Sequence, residues 1–231
     1  MRKKIFLLLL SAITLHAQSV YLPATHRVYK FLDRMEAMQV ISDYRDAVKP
    51  MTRKDIARFL IQIDTTGKEL TEIDQEEMYF YKEEFFQELQ NLKYENLIEE
   101  RWHLYQYQSE PTKLNVDLVG GYSKQWRGDS KDTKISSNGI SAYGYVGNSF
   151  GSSFYFRDNH EAGSYLDPIK SLTPIPAEVV SKDQRPSFFE YDNIDAQLTF
   201  DYDFLTISVE KIANVWGEGE RGNIILSTRF L

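Results

Sequence analysis

The chain has 231 residues, a formal net charge of −7 and no cysteine. The acidity weighs against a nucleic-acid binder, which needs clustered Lys and Arg, and the missing cysteine excludes disulfides, a thiolate metal site and a lipoprotein anchor. Aromatics make up 14% with 15 Tyr, yet no segment after residue 17 could form a transmembrane helix, so the composition fits a β-barrel or a soluble β-rich protein.

Residues 1–17 read as a secretory signal peptide. Arg2-Lys3-Lys4 is the cationic start, 5–15 is an apolar stretch too short to span a bilayer, and Leu15-His16-Ala17 offers the cleavage site, leaving Gln18 as the new terminus. Loss of Arg2, Lys3 and Lys4 takes the charge from −7 to −10. The bland alternative is a buried N-terminal helix.

Residues 18–101 read as a helical region. Thr25 can cap a helix carrying Val28, Phe31, Leu32 and Met35 at helical spacing. After Pro50, Thr52 with Asp55 resembles a capping box ahead of Ile56, Phe59, Leu60 and Ile63. A third helix is expected from Thr71 to about Asn96, with Met78, Tyr81, Phe85, Leu89 and Leu92 along one side and a Glu-rich, solvated face opposite.

From 102 to 231 the period changes to two. In 193–204, Ile194, Ala196, Leu198, Phe200, Tyr202 and Phe204 alternate with Asn193, Asp195, Gln197, Thr199, Asp201 and Asp203. Strand side chains point to opposite faces in turn, so one face is apolar and the other meets water. Similar alternation runs through 114–123, 135–146, 150–157, 205–210 and 223–230. A parity change between Phe204 and Leu205 marks a tight turn.

The connections read as alternately long and short: 124–134 long and charged, 147–149 short, 160–190 very long with four prolines, the turn near Asp203 minimal and 214–222 intermediate. Transmembrane barrels have this asymmetry, with short periplasmic turns and long external loops. The fold expected is therefore mainly β with N-terminal α: a partial transmembrane antiparallel β-barrel preceded by a small periplasmic helical region. A soluble β-sandwich is the alternative. Six strands are fewer than the roughly eight of the smallest bacterial barrels, and open edges do not survive in lipid. The chain is accordingly expected to be the N-terminal piece of a longer protein.

Val28-Tyr29-Lys30-Phe31-Leu32-Asp33-Arg34-Met35 and Met51-Thr52-Arg53-Lys54-Asp55-Ile56-Ala57 resemble the periplasmic helical region of Wzi-type capsule-assembly outer-membrane proteins, in the form seen in Bacteroidota-like bacteria. The run from Val215 to Ser227 is similar to that family's tryptophan-glycine loop and following strand, with Glu218 where the family commonly has proline. The resemblance implies a large outer-membrane barrel of a Gram-negative bacterium, about eighteen strands in the family, with periplasmic helices at its mouth. It also implies a non-enzymatic role in binding or assembling capsular or other surface polysaccharide.

Sugar rings stack on aromatic faces, and their hydroxyl and acidic groups pair with Arg, Asn and Asp. The candidate ligand-binding residues are thus Trp126, Arg127, Trp216 and Arg221. Both tryptophans also fit an aromatic girdle at the membrane interface, and Arg221 could pair with Glu218 or Glu220. Expected partners are surface polysaccharide, outer-membrane lipid and envelope export proteins. No cofactor, metal, nucleic acid or catalytic residue is expected.

Other motifs carry less. Gly217-x-Gly219-x-x-Gly222 matches a dinucleotide fingerprint as a string but precedes a strand, not a helix. Asp158, His160 and Glu161 read as a solvated loop, not a metal site. Arg127-Gly128-Asp129 reads as a charged turn. A porin-like channel is the competing function and would need an open polar lumen; Asp117, Arg157, Asp195 and Asp201 are inward and polar enough for either. A soluble secreted β-protein is the third reading.

Overall fold

The structure, a computed structural model, describes residues 20–127, 131–147, 149–166, 179–185, 187–202 and 205–217. It is mainly β, with a large antiparallel sheet and a small N-terminal helical region. The first 19 residues and the expected strand 223–230 lie outside the described residues.

The helical region holds α1 (Val28–Ala37), the short strand β1 (Val48–Lys49), α2 (Arg53–Thr65), α3 (Glu72–Glu84) and α4 (Phe86–Asn91). The apolar positions read from the sequence converge here: Val28, Phe31, Leu32 and Met35 of α1 pack with Ile56, Leu60 and Ile63 of α2 and with Met78, Tyr81, Phe85 and Leu89. No strand residue joins this core among the described residues. The Thr52 hydroxyl accepts a hydrogen bond from the Asp55 amide at 3.0 Å and starts α2 as expected. Thr52→Ala should cost about 1 kcal/mol, measurable as a lower urea midpoint with an unchanged slope.

Three helical expectations need correction. Thr25 does not cap α1; Arg27 occupies that place without a side-chain cap bond, and the His26 ring accepts from the Val28 amide instead. The long third helix is two helices, because Phe85 leaves helical geometry (φ −100°, ψ 19°) and drives its ring into the core. The Glu-rich face is not all solvated: Glu84 and Glu88 are buried, each with a basic partner.

The large sheet holds β2 (Tyr105–Ser109), β3 (Thr112–Arg127), β4 (Lys131–Val146), β5 (Phe150–Gly163), β6 (Val179–Arg185), β7 (Phe188–Tyr202) and β8 (Leu205–Lys211). The order is β2-β3-β4-β5-β7, with β6 and β8 lying end to end along the far side of β7. Among the described residues β2 on one side and β6 with β8 on the other are the sheet's edges, and the sheet does not close. After Lys211 the chain leaves the edge through buried Ile212 and Ala213 and forms β9 (Val215–Trp216), which pairs with β1.

The strands run further than their sequence suggests. β3 continues to Arg127 and β4 starts at Lys131, so most of the expected loop 124–134 is ladder. The expected loop 160–190 contains the end of β5, all of β6 and the start of β7. Both stretches lack apolar alternation: the outer face turns largely polar there, and the inner face mixes polar side chains with buried aromatics such as Phe189. The expected alternation of loop lengths therefore does not hold; the strands themselves project beyond the apolar rows at one end.

The sheet is inside out. On the outer face, away from the helices, the ladder aligns apolar residues in successive rows: Tyr202 with Leu205; Phe150 and Phe200 with Ile207; Leu198 with Val209 and, across the sheet, Leu114; Val116, Ala142 and Phe154 with Ala196; and Leu118, Ile140 and Phe156 with Ile194. Leu118, Leu198 and Val209 are 69%, 53% and 74% exposed. The inner-face residues Asn115, Gln197 and Thr199 are 1%, 3% and 0% exposed.

Candidate functional site

The helical region seats against the inner face of the sheet, and the seam between them gathers the buried polar groups. The Nε of Arg53 donates to Glu88 at 2.8 Å, and its Nη2 donates to the Glu84 carbonyl at 2.7 Å. Its guanidinium lies over the rings of Phe85, at 4.5 Å, and Tyr143, at 4.2 Å. Tyr145, on the inner face of β4, donates to the same Glu88 carboxylate at 2.5 Å. Burial alone pulls the Arg53 guanidinium down, but the facing Glu88 charge holds it well above its ordinary range. The cation is thus locked on, with aromatic faces replacing water around it.

A second clasp uses an amide. Gln197 of β7 accepts from the Tyr21 amide at 2.9 Å and donates to the Tyr21 carbonyl at 2.5 Å, as a neighbouring strand would. The β1–β9 pair, with the Gly217 amide donating to the Ala47 carbonyl at 2.7 Å, is a third.

Between these clasps lies an open cleft of about 640 Å³. His26, Phe80 and Glu84 form its helical wall, and Tyr155, Arg157 and Asp195 form its sheet wall. Arg157 reaches Asn193 at 3.4 Å, and Arg101 at the rim pairs with Asp117 at 2.7 Å. The groups can hydrogen-bond and stack but form no nucleophile–base constellation. No cluster of metal-ligating side chains occurs among the described residues. Asp158 and His160 fall on the outer face and Glu161 on the inner, in a strand where the sequence suggested a loop, so the three do not converge.

Three carboxyls of the helical region sit below their ordinary range. Burial pushes Glu84 up, but the His26 ring at 3.0 Å, with Arg53 and Arg101, brings it below 4.5. Burial likewise opposes ionisation of Asp74 and Asp64, and Thr71 with Arg34, and Tyr94 with Lys82, bring these below 3.8. A carboxyl lowered by folding stabilises the fold above its unfolded pKa and ceases to do so as pH falls through the folded value. The helical circular-dichroism signal should therefore hold its melting midpoint down to about pH 5 and lose it progressively below. Arg34→Gln should remove part of that acid dependence; a midpoint unchanged down to about pH 3 would contradict the assignment.

Of the residues singled out from the sequence, Trp126 and Trp216 fall on different sheets. Trp126 is exposed on the outer face near the end of β3, with Lys124 beside its ring at 5.0 Å. Arg127 closes that strand opposite Lys131. Trp216 is half exposed in β9, opposite Val48 of the helical region, in a strand and not a loop. Arg221 lies outside the described residues, as do Glu218 to Gly222 of the glycine string. Sequence reasoning missed Arg53, Glu88, Tyr145 and Gln197. Only Gln197 carried a signal, its place on the polar parity of β7. No family model, curated protein or solved structure matches the chain.

Proposed function

We propose that this chain belongs to an outer-membrane β-barrel that binds or helps assemble surface polysaccharide, and that it does so without catalysing a reaction. The observation that carries the membrane part is the inverted sheet, with apolar rows in the open and amides and carboxylates enclosed. Water rewards the opposite arrangement, whereas lipid favours this one. The apolar rows run from Ile194 to Tyr202 on β7, which matches the roughly 9–11 residues of a tilted crossing. Exposed Tyr122, beyond the last apolar row, suits one interface. The helical region would lie in the periplasm, and the sheet edges would pair with further strands.

The polysaccharide role is supported by the Wzi-type resemblance at 28–35, 51–57 and 215–227. A porin-like channel is the second reading; the helical region against the inner face counts against it. Two measurements test the proposal. The protein should pellet with outer membranes, resist carbonate extraction and migrate faster in SDS gels before boiling than after. Cells lacking it should release capsular polysaccharide into the medium. Recovery in the soluble periplasm would overturn the membrane part, and unchanged polysaccharide retention would overturn the role.

A further inference from the structure

On the β3–β4 hairpin the outer face changes chemistry in steps beyond the apolar rows. Gly120 faces Asn138, then Tyr122 faces Ser136, then Lys124 faces Lys134, and Trp126 faces Asp132. Like charges directly opposite one another on one face of a sheet repel. Lys124 has a counter-charge, Asp132 at 3.2 Å, and lies 5.0 Å from the Trp126 ring centroid. Lys134 is exposed and has no ion-pair partner among the described residues. The lysine pair stands one row above exposed Tyr122, which is about 5 Å along a tilted barrel wall. If Tyr122 marks the membrane interface, lipid headgroups occupy that level.

We propose that Lys124, Lys134 and Trp126 form a binding site for the phosphorylated headgroup of an outer-leaflet glycolipid. One phosphate between the two ammonium groups replaces their repulsion with two charge-assisted hydrogen bonds. The headgroup's sugar ring stacks on the exposed indole. The neighbouring strands confine the ligand, because the same row continues as Ala162 and Phe188, which offer phosphate no charge, and the rows below carry Glu190 and then Asp158 and Asp192, which repel it. The site rests on the outer-membrane orientation proposed above.

The test refolds the complete protein, with the further strands that close the barrel, into phosphatidylcholine vesicles, alone or containing diphosphorylated lipid A or the same lipid dephosphorylated. The unfolding midpoint is read from the heat-dependent shift in SDS gels. The wild-type midpoint should rise by several degrees with the phosphorylated lipid alone, since a ligand of the folded state stabilises it. Lys124→Gln/Lys134→Gln should melt like wild type in phosphatidylcholine and lose that rise; Trp126→Ala, which keeps both lysines, should retain part of it. An equal rise with dephosphorylated lipid or with inorganic phosphate, or a rise that survives the double substitution, refutes the headgroup site and leaves the orientation standing. Should the double variant not fold, Lys134→Gln alone decides in the same way. A complete wild-type protein that stays in solution with every vesicle refutes the orientation, and the site with it.

Discussion

Glu88→Ala should lower the stability of the folded protein by about 3–5 kcal/mol, the usual cost of removing one partner of a buried ion pair. The substitution leaves Arg53 charged, since nothing in its surroundings can take its proton, and almost without solvent. It also strands the Tyr145 hydroxyl, whose acceptor is the same carboxylate. The matched apolar replacement, Arg53→Met with Glu88→Leu, removes both charges together and should cost far less, because neither is left uncompensated. Urea unfolding of the protein refolded in detergent micelles measures both. Equal losses for the single and double variants would mean that the seam is held by packing and not by the pair.

Leu198→Arg should cost about 2–4 kcal/mol in phospholipid vesicles, the depth-dependent penalty for a cation facing lipid near the bilayer midplane. Leu198 lies in the middle of the apolar rows, between the Phe150–Phe200 and Phe154–Ala196 pairs. Asn138→Arg, on the same face but beyond those rows beside Gly120 and Asp158, should cost about 0–1 kcal/mol. In water neither change should matter, since substitutions at exposed positions usually fall within about 0.5 kcal/mol. Folding free energies in vesicles therefore separate the two environments, and equal small effects at both positions would argue for a soluble sheet.

The apolar half of the structure was legible because period carries it. Leu114 to Leu118 and Ile194 to Tyr202 alternate as the ladder requires, and the core positions of α1 and α2 repeat at helical spacing. Periodicity fell silent where the outer face turns polar. Lys124 to Trp126, Asp158 to Glu161 and Glu190 to Asp192 are strand residues whose sequence resembles a loop. It also could not separate a solvated carboxylate from a buried one. Glu88 and Glu83 look alike on a helix, and only the arrival of Arg53 and Tyr145 from distant elements distinguishes them. Among the described residues proposed for ligands, Trp126 alone presents an exposed ring on a strand beside a cation, and Lys134, across the β3–β4 turn, comes near only through the register.

The Gln197 clasp has a kinetic side. Tyr21 is made early, yet its amide and carbonyl wait for a side chain 176 residues further on. The helices meanwhile can assemble around a core made only of their own residues, with the short sequence separations that favour rapid folding. Docking must follow strand pairing, so the folding chain passes through a stage in which a finished helical head waits on an unfinished sheet. During that stage the faces carrying Arg53 and Glu88 are open to water and to other proteins, and a chaperone that holds the strands apart would meet the head already folded.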